Sequence, residues 1–133
     1  MNQSNQSPAQ HSHFISLEKA VAMTSRYRNN KEQILATTYQ DSDILALNES
    51  FDRAAIDTLL ATPGCAGMRI YYGMDTALKV HAVMVAVNAD NEDILPAGTE
   101  TASNSAEDDP IIVEEGQRCP PICPGGSPLN EQP

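Results

Sequence analysis

Long apolar runs are missing from this 133-residue chain: the longest, residues 82–87, falls far short of the roughly 20 residues a membrane-spanning helix needs. The first thirteen residues are mostly Asn, Gln, Ser and His, with almost nothing to bury. They lack the apolar stretch of a secretory leader and cannot repay the entropy of ordering, so a disordered tail is expected over residues 1–14. Basic side chains are missing from residues 90–115, which hold nine Asp and Glu and no Lys or Arg. Such a segment repels a phosphate backbone, which argues against nucleic acid as a partner. Cysteine is scarce and odd in number, with three residues and no leader before them. Reduced thiols in a cytoplasmic protein are the expectation, rather than a disulfide framework. A nucleophile paired with a base, a phosphate loop and a metal tetrad are also absent from the sequence pattern.

The charge that is present is unevenly placed. Residues 1–89 carry seven Lys/Arg against eight Asp/Glu, so the net charge of −10 belongs mainly to the later acidic stretch. That stretch reads as a linker over residues 98–110 and says little about the folded surface. Arg26, Tyr27, Arg28 and Lys31 form a small basic cluster, which fits the C-terminus of a helix where cations meet the backbone dipole.

An α+β domain is expected over residues 15–97, with two short helices packed on a small antiparallel sheet and with disordered or extended termini. Ser16 is placed to cap a helix whose one face carries Leu17, Ala20, Val21, Thr24 and Tyr27/Arg28, with Asn29-Asn30 as its stop. Asp52 is placed to cap a second helix with Ile56, Leu59 and Leu60 on one stripe. Phe51 and Ile56 take the positions of a hydrophobic staple, and Pro63-Gly64 ends the helix. Residues 31–47 give no clear pattern.

Residues 66–72 are rich in β-formers, residues 73–77 contain a glycine turn, and residues 78–87 return as the second strand of a hairpin. On that return strand Leu78, Val80, Ala82, Met84 and Ala86 share one face, and Lys79, His81, Val83, Val85 and Val87 share the other. Both faces are mostly apolar, unlike a half-solvated strand. Two helices can cover one face. A tail, a loop or a second copy of the chain is expected to cover the other, and Pro110-Ile111-Ile112-Val113 is placed to lie over it as an edge strand. Asp93-Ile94-Leu95-Pro96 is short enough for only a brief third strand.

Residues 111–133 form a Cys/Pro-rich tail, and Arg118-Cys119-Pro120-Pro121-Ile122-Cys123-Pro124 is its most unusual segment. The prolines favour an extended polyproline II path, which rises about 3.1 Å per residue and separates the two cysteine Cα atoms by roughly 12 Å. A disulfide needs them within about 7 Å. Closing the pair needs a turn or a cis X-Pro bond, so these seven residues are read as a stiff extended segment that docks into a groove, on this chain or a partner protein, with a plain disordered terminus as the alternative. The competing reading makes Cys119 and Cys123 a redox pair or half of a zinc site, with two further ligands lacking nearby because His11 and His13 lie in the other tail. Cys65, His81 and Asp90 or Asp93 supply the residue types for thiol catalysis, but a packed Cys65 is the simpler expectation. Asp90, Glu92 and Asp93 lack the glycine and terminal glutamate of a calcium loop and read as a solvated turn.

Several blocks taken together resemble an uncharacterised family of small bacterial proteins. They are Pro63 to Cys65, the hairpin Arg69 to Asp75, the turn Val85 to Asn88, Asp93 to Pro96 and the terminus Cys119 to Pro124. The resemblance implies no activity and supplies no catalytic residues. The sequence thus leads to a non-enzymatic protein that self-associates or docks a partner through its sheet and proline-rich tail, without a catalytic site or a cofactor.

Overall fold

The structure, a computed structural model, describes residues 12–97 and 110–130. Of the disordered tail expected over residues 1–14 and the linker expected over residues 98–110, residues 1–11 and 98–109 lie outside the described residues. The fold is α+β, with two α-helices and two antiparallel sheets among the described residues. No helix among the described residues is long and apolar enough to cross a membrane.

The first helix, α1, spans Leu17–Asn30. Its start follows from Ser16, whose backbone is extended and whose Oγ accepts the Lys19 amide at 3.0 Å. Ala20, Val21, Thr24 and Arg28 are half-buried as the periodicity expects, but α1 buries no residue fully and leaves Leu17 and Met23 exposed. The second helix, α2, spans Arg53–Leu60. Asp52 precedes it with extended backbone but makes no side-chain cap bond, so the staple residues Phe51 and Ile56 anchor this end by packing against the core. At its other end Thr62 Oγ1 donates to the Leu59 carbonyl at 2.7 Å. Gly64 then takes φ +83°, a left-handed turn that a side chain would oppose.

The strands are β1 (Asn48–Ser50), β2 (Gly67–Met74), β3 (Val80–Val87), β4 (Asp93–Ile94), β5 (Ile112–Val113) and β6 (Gln117–Cys119). One sheet holds β2, β3, β4 and β5; β3 lies between β2 and β4, and β5 also pairs with β3. Ala86 faces Ile94 and Val87 faces Asp93, while Met84 faces Val113 and Val85 faces Ile112. A second sheet pairs β1 with β6.

The described residues divide into two compact units. One draws mainly on Phe51–Gly73 and Ala82–Glu115, the other on His13–Ser50, Met74–His81 and Gly116–Pro133. The division cuts the β2–β3 hairpin on both strands. The first unit contains the core cluster of Leu59, Met84, Ala86 and Val113, bordered by Phe51, Ala55, Ile56, Cys65, Ile94 and Ile111. Full burial of each large member stabilises the fold by roughly 1.5–3 kcal/mol. Along β3, Met84, Val85, Ala86 and Val87 are all buried, so both faces of this half-strand are shielded within one chain.

That arrangement corrects the sequence reading in two places. Ile112–Val113 does form the expected added strand, but it pairs beside β3 rather than lying over one of its faces, and no second copy is needed to cover Val85 and Val87. Leu59 has no exposed surface, so Leu59→Ala is expected to lower the unfolding free energy by about 2–5 kcal/mol in a denaturant titration. Leu60→Ala, one residue along and 48% exposed, is expected to cost less than about 1 kcal/mol by the same measurement.

Candidate functional site

β2 is the outermost strand of its sheet and one of the two longest, with eight residues. Its alternation places Met68, Ile70 and Tyr72 on one face, and all three are exposed, Tyr72 by 81%. The opposite face carries Arg69 and Tyr71, which converge on one carboxylate. Arg69 Nη1 donates to Asp93 Oδ1, and the Tyr71 hydroxyl donates to Asp93 Oδ2. Arg69 Nη2 also donates to Asn91 Oδ1 at 2.7 Å and to the Asn91 carbonyl at 3.1 Å. Asn91 offers its carbonyl from a left-handed turn at φ 65°. The single charged side chain of β2 is thus neutralised on one face, while the other presents an apolar row beside a strand edge that is unpaired among the described residues. An edge of this kind is a template for another strand unless a charge or proline guards it.

The tail segment is organised differently from an extended arm. Arg118 is buried, and its guanidinium is spent on three carbonyls of its own unit: Val80 from Nε at 3.2 Å, and Asp43 and Ile44 from Nη2 at 3.0 Å each. Ile44 is itself buried, and its carbonyl also accepts the Val80 amide at 2.8 Å. Cys119 is 1% exposed and sits in β6 opposite Asn48, with the Leu47 amide donating to its carbonyl at 2.7 Å.

The chain then turns. The Ile122 amide donates to the Arg118 carbonyl at 2.9 Å, the Cys119–Pro120 and Pro120–Pro121 bonds are both cis, and Cys119 is joined to Cys123 with the Cα atoms 4.7 Å apart. The roughly 12 Å separation expected of a polyproline II path is therefore not what the chain adopts. Pro120 is half-buried, and Pro121, Ile122, Cys123 and Pro124 are exposed. Of the seven residues assigned to a docking arm, Arg118 and Cys119 are occupied inside their unit, and the exposed part is the short run around Ile122. With the two sulfurs bonded to each other, neither is a thiolate that a zinc ion would need.

The other candidate residues are committed elsewhere. Cys65 Sγ donates to the Gly67 carbonyl at 3.2 Å and packs at the margin of the core. Asp93 is held by Arg69 and Tyr71. His81 lies with Nε2 2.7 Å from Asp75 Oδ2 and Nδ1 3.8 Å from Glu49 Oε2. His13 is exposed, and His11 falls outside the described residues. Asp90 sits in the turn after β3, where its amide donates to Asn88 Oδ1 at 2.9 Å, as a solvated turn requires.

Asp75 holds the tip of the hairpin. Its Oδ1 accepts the Ala77 amide at 2.8 Å and the Lys79 amide at 3.0 Å, while Leu78 between them takes φ 69°. The Lys79 amide, followed by His81, holds the Asp75 carboxyl below its ordinary range. A carboxyl lowered on folding stabilises the fold fully above its unfolded value of about 4, and that contribution drains away as the pH falls through the folded value. Exchange of the Ala77 and Lys79 amides is accordingly expected to quicken as the pH is lowered below about 4, after correction for intrinsic rates. In Asp75→Asn this pH dependence is expected to vanish. Unchanged protection of both amides through that range in the parent chain would contradict the role given to Asp75.

Elsewhere in the same unit the Tyr27 hydroxyl donates to the Ala46 carbonyl at 2.6 Å. Burial pushes this hydroxyl above its ordinary range, helped by Glu32 and opposed by the Arg118 charge. Comparison with known proteins adds no identity: no family model, no curated protein and no solved structure matches the chain.

Proposed function

We propose that this chain is a non-enzymatic assembly protein whose β2 strand pairs antiparallel with β2 of a second copy. The open apolar row of β2 carries the reading: Met68, Ile70 and Tyr72 are exposed on a terminal strand whose one charge is already neutralised by Asp93. A two-fold axis beside Ile70 would set Ile70 against Ile70 and Met68 against Tyr72, apolar on apolar along the whole row. On the other face the same register sets Arg69 against Tyr71. No like charges meet, because β2 has no second ionised side chain. A self-complementary strand of this kind suits a second copy better than a charged peptide.

The sheet, more than the tail, offers surface for such an assembly. Buried Arg118 and Cys119 offer a partner little surface, and the paired half of β3 offers none. The reading fixes no compartment. The cytoplasm expected from the sequence keeps thiols reduced, whereas a disulfide such as Cys119–Cys123 persists where conditions are oxidising.

Light scattering of the full chain over a range of concentrations is expected to show a dimer. Ile70→Lys, at a position 45% exposed, is expected to raise the dissociation constant about tenfold or more while leaving the circular dichroism and melting temperature close to those of the parent. Tyr72→Lys serves as the independent variant, at the most exposed position of the row. A chain that stays monomeric at every concentration would refute the proposal, as would a dimer indifferent to both substitutions.

A further inference from the structure

We infer that the Cys119–Cys123 disulfide is a directional thiol-exchange site, attacked at Cys123 by a low-molecular-mass monothiol and resolved by Cys119. Three observations on the same unit carry this inference, and none depends on assembly through β2. The two cysteines are unequally exposed as residues: Cys119 is 1% exposed within β6, whereas Cys123 lies in an exposed run with Ile122 and Pro124. The buried partner is held by contacts other than the disulfide, through its register with Asn48, the Leu47 amide on its carbonyl, and the neighbouring Arg118 guanidinium on three further carbonyls. The ring closed by the bond is short, with a sequence separation of 4, and the Ile122 amide already binds the Arg118 carbonyl across it. A bond closing so few residues removes little chain entropy from the unfolded state, so it is a minor staple that opens without releasing the strand beneath it.

The chemistry balances without any group beyond the thiol. The incoming thiolate attacks Cys123 Sγ along the line of the disulfide. The new sulfur–sulfur bond forms as the Sγ–Sγ bond breaks, and its electron pair leaves on Cys119 Sγ as a thiolate. From this mixed disulfide two exits exist. Cys119 attacks Cys123 Sγ, expels the monothiol and restores the starting bond. Alternatively a second monothiolate attacks the monothiol sulfur, which yields the oxidised dimer of the small thiol and leaves both cysteines reduced by two electrons. Cys119 acts as the resolving group because β6 keeps it in place while the exposed run moves. Its attack on Cys123 Sγ is intramolecular, across a ring with a sequence separation of only 4, so the adduct is brief unless Cys119 is absent.

The test uses the full chain with Cys65→Ala, so that the free thiol at the core margin cannot report. Glutathione disulfide is added to two further single-thiol variants, Cys119→Ser and Cys123→Ser, and adduct formation is followed by intact mass. The Cys119→Ser variant, with Cys123 free, is expected to form the adduct at least about tenfold faster than the Cys123→Ser variant. In the chain retaining both cysteines, reduced glutathione followed by an acid quench is expected to leave its adduct on Cys123 by peptide mapping, a measurement that needs neither serine variant to fold. Full reduction is expected to leave the far-ultraviolet circular dichroism unchanged. Equal rates in the two variants, an adduct mapped to Cys119, or loss of the fold on reduction would each overturn the inference.

Discussion

The assembly proposed for this protein depends on the position of β3 between its neighbours. Strands β2, β4 and β5 all pair with it, and its last four residues are buried on both faces. A strand so enclosed cannot receive a partner. Its pairing needs are met by one long strand and two two-residue strands, and the long one is left at the end of the row. Among the described residues the open backbone edge of β2 follows from that topology, and the apolar row on it follows from alternation along the sequence.

In the other unit a single side chain has a comparable role. Arg118 gathers the loop at Asp43 and Ile44 and the first residue of β3, while β6, which carries it, pairs with β1. A buried guanidinium is expensive to desolvate, and here each donating nitrogen meets a carbonyl rather than a carboxylate. The cost is offset by joining segments far apart in the chain that share no regular secondary structure. Because the clamp holds Cys119 from the adjacent position, the cysteine ring has one fixed shoulder and one free one.

Much of this fold was legible in the sequence. Ser16, Asp52 and Gly64 mark helix ends by rules that act over three or four residues, and the hairpin announces itself through β-formers around a glycine turn. The missed features depend on long-range pairing. Nothing within Asn48-Glu49-Ser50 signals a strand; it becomes one because Gln117-Arg118-Cys119 lies beside it. The basic side chain of Arg118 suggested a contact with a partner, since burial of a guanidinium is evident only when its acceptors come together. The tail prolines suggested an extended path, whereas the chain turns to close the disulfide. The candidate surface on β2 was visible as Met68, Ile70 and Tyr72 in alternation, but the apolar density of β3 drew attention to the strand that the fold encloses.

Mixed-isotope nuclear magnetic resonance reaches the central claim most directly. A sample combining labelled and unlabelled copies reports only contacts that cross between chains. Nuclear Overhauser effects between the Ile70 methyl groups of two copies, and between Met68 of one and Tyr72 of the other, are the result this account requires. Intermolecular contacts confined to other surfaces, or their absence at millimolar concentration, would contradict it.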